Sequence, residues 1–176
     1  MTRLFLSSAA LFSSTALVAL AAPAAAQPSG ETIVVSATRI PTPLSQLASS
    51  VTVITAPQIE ARQDRSLPDV LREVPGLSIT QVGGAGGQTS VFLRGTNPNH
   101  TKVLLDGIDL ADPATPSGAA DISKLLAGDI AQVEVLRGPQ GALYGSDAIG
   151  GVISIVTKTG EGPLKLSAAA EGGSFG

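Results

Sequence analysis

The stretch VEVLRGPQGALYGSDAIGGVISIVTK, Val133–Lys158, decides the fold. Two runs of strand formers, VEVL (Val133–Leu136) and VISIVTK (Val152–Lys158), flank RGPQGALYGSDAIGG (Arg137–Gly151), which holds five glycines and one proline. Glycine at that density reads as a phosphate cradle, a disordered hinge, or a turn packed too closely for side chains. A phosphate-binding loop needs a lysine that reaches the phosphates, and this stretch has none. The other glycine-rich segment, GGAGGQTS (Gly83–Ser90), carries Gln88 where the lysine belongs. Gly84-Ala85-Gly86 is followed by Thr89, where a dinucleotide fingerprint requires glycine. A flexible linker is glycine- and serine-rich without large apolar anchors, whereas Leu143, Tyr144 and Ile149 are interleaved here. The stretch therefore reads as an ordered turn, with glycine at sharp bends and at close backbone approaches.

Working outward, SVTVIT (Ser50–Thr55) alternates as a strand does. Thr55, Pro57 and Gln58 then open a helix over TAPQIEARQ with the signature of a capping box. A second helix is expected in SLPDVLREVPG: Ser66 caps it, Pro75-Gly76 stops it, and Leu67, Val70, Leu71 and Val74 share one face. LSIT (Leu77–Thr80) is a brief strand, and QVGGAGGQTS (Gln81–Ser90) a loop. SVFLRG and KVLLDGIDL are strands joined by TNPNHT, with Asp106-Gly107 as a tight turn inside the second. Asp121 is expected to cap a helix over ISKLLAG closed by Gly128. Regular βαβ alternation is missing, so the class is α+β: a small mixed β-sheet with short helices and long loops.

The ends differ from the middle. Arg3 precedes an uncharged run, Leu4–Ala26, that closes on Ala24-x-Ala26. Residues 1–26 read as a signal peptide, with Gln27 as the new N-terminus. The competing reading, a membrane anchor, is opposed by serine and threonine in the run, by Pro23, and by the absence of a basic flank. Residues 27–40 form a flexible leader that includes the β-prone ETIVVSATRI. Pro41 and Pro43 exclude a central strand there. This run is either an ordinary first strand or a peptide held out for a partner to pair with. Residues 41–160 form the domain. In the tail, 161–176, Leu164, Leu166, Ala168 and Ala170 alternate with more polar residues, as in a transmembrane β-strand. A lone strand cannot span a membrane, so either this strand is incidental or the chain is the front of something longer.

The chemistry classes narrow quickly. The net charge is −3 with no basic cluster, which argues against nucleic acid as a partner. There is no cysteine and one histidine, His100, so a thiolate or zinc site is not expected. Asp106, Asp109 and Asp112 lack the spacing of a calcium loop, and no G-x-S-x-G elbow occurs. No cofactor, no metal and no enzymatic constellation is expected.

Over Glu31–Lys158 the chain resembles the plug domain of TonB-dependent outer-membrane receptors. VEVLRGPQGALYGSDAIGGVISIVTK is similar to the family's plug signature, VFLRGTNPNHTKVLLDG to its central motif, and ETIVVSA to its TonB box. The resemblance implies a plug seated in a β-barrel of about 22 strands, of which residues 161–176 would begin the first strand, truncated here. It implies that Glu31, Thr32, Ile33, Val34, Val35, Ser36 and Ala37 are the segment to which TonB adds as a strand in the periplasm. It implies that Arg94 and Arg137 meet glutamates of the barrel wall through bidentate guanidinium pairs; the plainer reading is two solvated strand-end arginines. Apical loops carrying Gly83, Gly84, Gly86 and Gln88, and Asp112, Thr115 and Ser117, would contact the ligand. RGTNPNHTKVLLDG and YGSDAIGGV look closest to the vitamin B12 (cobalamin) receptor subfamily, which makes cobalamin the expected cargo. A ferric siderophore is the alternative, and the proline-rich loop 109–120 departs from the cobalamin pattern. The competing class is a stand-alone periplasmic binding module without a barrel.

Overall fold

The computed structural model describes residues 32–34, 36, 39–47, 50–84, 86–115, 117–160 and 174. The expected signal peptide, Glu31, Val35 and Ala37 of the leader, and the tail strand lie outside the described residues.

The strands are β1 (Ile33–Val34), β2 (Thr42–Pro43), β3 (Ser50–Thr55), β4 (Leu77–Gln81), β5 (Thr89–Leu93), β6 (Thr101–Leu105), β7 (Ile108–Asp109), β8 (Ile130–Arg137) and β9 (Gly151–Thr157). The helices are α1 (Ala56–Arg62), α2 (Leu67–Leu71) and α3 (Gly141–Tyr144). The main sheet has the order β3-β8-β9-β6-β7. It is antiparallel except between β6 and β9, where Thr101 stands beside Gly151 and Leu105 beside Ile155. β4 and β5 form a separate antiparallel hairpin, and β1 pairs with β2. The fold is thus α+β, a mixed sheet with short helices.

Alternation along β8 and β9 sorts side chains onto two faces. Val133, Val135, Ile153 and Ile155 point into the larger core, where they meet Ile59 of α1, Leu67, Val70 and Leu71 of α2, and Val91 and Leu93 of β5. Leu136 and Val152 point the other way, into a small cluster with Val34, Leu104 and Ala148. The thick face is covered by helices and a hairpin, while on the thin face Val34 of the leader packs into the small cluster.

Local chemistry explains most element ends. The Thr55 N–H donates to Gln58 Oε1 at 2.9 Å, which closes the capping box of α1. Gln63, at φ 58°, ends that helix in the left-handed region. α2 has a single helical core, Leu67–Leu71, before the chain turns through Pro75 and Gly76. Asp106 and Gly107, at φ 48° and 84°, make the tight turn that joins β6 to β7.

Two expectations need correction. No helix forms over ISKLLAG; residues 121–129 are turns and one bridge. Asp121 Oδ1 does accept the Ser123 N–H at 3.0 Å, a local start that could lead into a helix. The backbone then pairs elsewhere: the Leu67 N–H donates to Leu125 O at 2.8 Å and the Ala127 N–H to Arg65 O at 3.1 Å. Tertiary pairing beside α2 has displaced the helical ladder. Conversely, the glycine-rich turn contains a helix, α3, that no capping residue announces.

Candidate functional site

Ile33, Val34 and Ser36, in the described part of the leader, are docked on the sheet. Ile33 stands opposite Pro43 and Val34 opposite Thr42. Val34 is 0% exposed while Ile33 is 51% exposed, as alternation across a two-residue strand requires. The described part of this segment contains a short strand paired within the fold. Its main chain is gripped by three side chains. Glu134 Oε2 accepts the Ser36 N–H at 2.7 Å, Gln132 Nε2 donates to Ile33 O at 2.9 Å, and the Tyr144 hydroxyl donates to Ser36 O at 2.6 Å. Gln132 Nε2 also donates to Glu134 Oε1 at 2.7 Å. The Arg39 guanidinium lies 4.7 Å from the centre of the Tyr144 ring, within cation–π range. Burial, aided by the charge of Glu134 and opposed by Arg39, raises the Tyr144 phenol above its ordinary pKa and keeps it a donor at neutral pH.

The two arginines converge on one corner. The Arg94 N–H donates to Gly76 O at 2.7 Å, and Arg137 Nη1 donates to Pro75 O at 3.3 Å. Arg94 Nη1 lies 3.4 Å from where a Cβ on Gly138 would stand. Arg94 itself sits in the left-handed region at φ 53°. Arg137 Nε is buried without a hydrogen-bond partner. Among the described residues, neither guanidinium is in ion-pair contact with a carboxylate.

The two candidate ligand loops meet at their bases. In the β4–β5 turn the Val82 N–H donates to Gln88 O at 3.0 Å, and the Gly87 N–H to Gly84 O at 2.9 Å. Gly83 and Gly86, at φ 83° and 81°, make this turn possible. In the second loop Asp112 Oδ1 accepts the Ala114 N–H at 2.9 Å, Thr115 Oγ1 donates to Asp112 O at 2.9 Å, and Ser117 Oγ accepts the Ala119 N–H at 3.4 Å. Asp112, Thr115 and Ser117 thus shape their own loop. The bases are joined by Asp121, whose Oδ1 accepts the Thr89 N–H at 2.9 Å, and by the Ile122 N–H, which donates to Thr89 O at 3.3 Å. Burial pushes the Asp121 carboxyl up, but the N–H groups of Thr89 and Ser123 outweigh it and hold the pKa below its ordinary value. Ser117 also borders a cavity of about 370 Å³ with Asn99, Thr101, Lys102 and Asp147. At its wall Lys102 Nζ pairs with Asp109 at 2.6 Å. Burial pushes the Asp109 carboxyl up, and Lys102 with the Ala111 N–H brings it below the ordinary range.

Gln132, Glu134 and Asp121 were not singled out by sequence reading for these roles, and Tyr144 only as a core anchor. A signal was present for Glu134: in VEVL a carboxylate stands between two valines, on the face opposite to theirs and shared with Leu136. Gln132, two residues earlier, shares its face.

Residues 43–152 match the family TonB-dependent Receptor Plug Domain. The chain is also similar to several solved receptors. A mutant of the ferric enterobactin receptor of Pseudomonas aeruginosa, in complex with enterobactin, is 31% identical with a TM-score of 0.50, over 64% of this chain and 18% of that one. The ferric yersiniabactin uptake receptor of Yersinia pestis is 30% identical with a TM-score of 0.51, over 70% of this chain and 18% of that one. FpvA of P. aeruginosa, bound to heterologous pyoverdine with iron, is 25% identical with a TM-score of 0.60, over 72% of this chain and 16% of that one. The chain spans less than a fifth of the length of each of these receptors. The family match runs from β2 through the start of β9 and takes in both arginines, both loops and the turn between the last two strands, so this chain belongs to the TonB-dependent receptor plug-domain family.

Proposed function

We propose that this chain is the gating and energy-coupling plug of an outer-membrane transporter for a ferric siderophore. The observation that carries the cargo class is the likeness to receptors named for ferric enterobactin and ferric yersiniabactin, at 31% and 30% identity. In this reading residues 31–37 pair with TonB by strand addition. Arg94 and Arg137, gathered at one corner with donors to spare, face carboxylates of a surrounding barrel. The loops at 83–88 and 112–117, tied together through Asp121, form a floor on which ligand rests. Export through the signal peptide delivers the protein to the outer membrane. Cobalamin is the second reading, supported by the motifs RGTNPNHTKVLLDG and YGSDAIGGV.

The test is uptake by a receptor-deficient, TonB-competent strain expressing the complete gene. Energy-dependent uptake of iron-55 presented on catecholate or phenolate siderophores is expected, with none of labelled cobalamin. The reverse pattern would replace the siderophore reading with the cobalamin one.

A further inference from the structure

We propose that Lys102 is a positioning residue: through its ion pair with Asp109 it sets the stance of residues 109–115, the first part of the second ligand loop. The proposal rests on the reading of that loop as a ligand contact. The need for such a residue follows from how lightly this segment is held. β7, which leads into it, is two residues long and exposed. The Leu110 N–H donates to Val103 O at 3.0 Å, and Leu110 packs against the larger core. Beyond that point none of residues 111–115 is buried. Their hydrogen bonds are local: Ala111 to Asp109 Oδ1, Ala114 to Asp112 Oδ1, and the Thr115 N–H and hydroxyl to Asp112 O. Such bonds shape a turn without fastening it to the sheet. Ala111 and Pro113 border the cavity of about 370 Å³, so close packing does not fasten them on that side.

The ion pair supplies the missing tie. Lys102 stands on β6, inside the main sheet, and its side chain is 16% exposed, so solvent screens it less than a surface charge. The Asp109 carboxylate is used at both oxygens: Oδ2 meets Lys102 Nζ at 2.6 Å, and Oδ1 accepts the Ala111 N–H at 3.0 Å. A fixed carboxylate therefore fixes the direction in which the chain leaves β7. Without the ammonium, the segment is free to settle toward the cavity or to swing away from it. Either movement displaces Asp112 and Thr115.

The test uses the receptor expressed from the complete gene, with Lys102→Met, Asp109→Asn, the two combined, and Lys102→Arg. Amide hydrogen exchange is read over residues 111–115, with β9 amides as the control for unfolding. Dissociation constants are read in isolated outer membranes for a catecholate and a phenolate ferric siderophore and for cobalamin. Each single neutral variant is expected to speed exchange and to raise the dissociation constant about fivefold, with β9 unchanged. The double variant should match the singles, and Lys102→Arg should stay near the unaltered protein. Unchanged exchange in both single variants would overturn the positioning role, whatever the ligand does. Faster exchange with unchanged affinity would overturn its bearing on the ligand. Weaker binding with Lys102→Met alone would make Lys102 a direct ligand contact and overturn its action through Asp109. Faster exchange in β9 as well would make the pair a support of the whole domain and overturn the local role. Faster loop exchange with none of the three ligands bound by the unaltered receptor would overturn the ligand-loop reading, and the function of Lys102 with it.

Discussion

At the scale of the residue, two glycines of the turn between β8 and β9 do different work. A Cβ on Gly150 would collide with Thr96 Oγ1 and come within 3.2 Å of His100 O and Leu93 O. Gly145 has open space around its missing Cβ but sits at φ 89°, ψ −179°, a region that only glycine adopts readily. Substitution at Gly150 should therefore cost more as the side chain grows, from Ala to Val, reaching about 1–3 kcal/mol. At Gly145 the cost is backbone strain, so Ala and Val should lower stability by a similar amount, about 1–3 kcal/mol. Urea unfolding of the four variants checks both patterns; equal penalties at Gly150, or a steep rise at Gly145, would contradict the assignments. That the stretch was an ordered turn was legible from its apolar anchors. Which glycine serves close approach and which serves positive φ was not, because the colliding atoms come from the β5–β6 connection, far away in sequence.

At the scale of the element, local signals predicted what local interactions build. Alternation gave β3, the capping box gave α1, and Asp106-Gly107 gave the turn between β6 and β7. The helix expected at 121–128 failed because its backbone groups pair with the segment before α2, an outcome that no local pattern encodes. Asp121 is the residue that reading placed correctly as a cap and incorrectly as the cap of a helix. Its actual role is to join the bases of the two loops through Thr89. The folded Asp121 pKa lies below its ordinary value, so its contribution is complete above the ordinary carboxylate range and disappears as pH falls through the depressed value. Asp121→Asn should then be less stable than the unaltered chain at pH 7, and the gap should close as pH falls below that range. Because the side chain is exposed, the gap at pH 7 should be small, about 1 kcal/mol or less. Denaturant midpoints at a series of pH values measure it; a gap that persists in acid would show that charge is not the cause.

At the scale of the whole molecule, the class, the family motifs and the strands of the sheet were legible, while the geometry that brings remote residues together was not. Arg94 and Arg137 could be named from two LRG motifs, but their meeting at the Pro75–Gly76 corner depends on how α2, β5 and β8 pack. Their roles can be separated by context. Arg94→Ala and Arg137→Ala should change the unfolding free energy of the plug alone by only about 0.5 kcal/mol, because neither has a carboxylate partner among the described residues. In the complete receptor the same substitutions should lower the heat-resistant, correctly assembled fraction on unboiled gels. A large loss in the plug alone would make these arginines structural residues of the domain itself. The docked leader was likewise invisible to local reading: its partners, Gln132, Glu134 and Tyr144, lie about a hundred positions further on.

The order of strands in the main sheet has a consequence for how the protein is made. Among the described residues β3, the first strand of the main sheet in chain order, lies at a sheet edge and pairs with β8 alone, while β6 waits for β9. During synthesis β3 emerges long before the strand it needs. Such long-range pairing makes folding slow. Until the last two strands arrive, β3 has no strand to pair with in the sheet, and its valines and isoleucine are left for chaperones to cover.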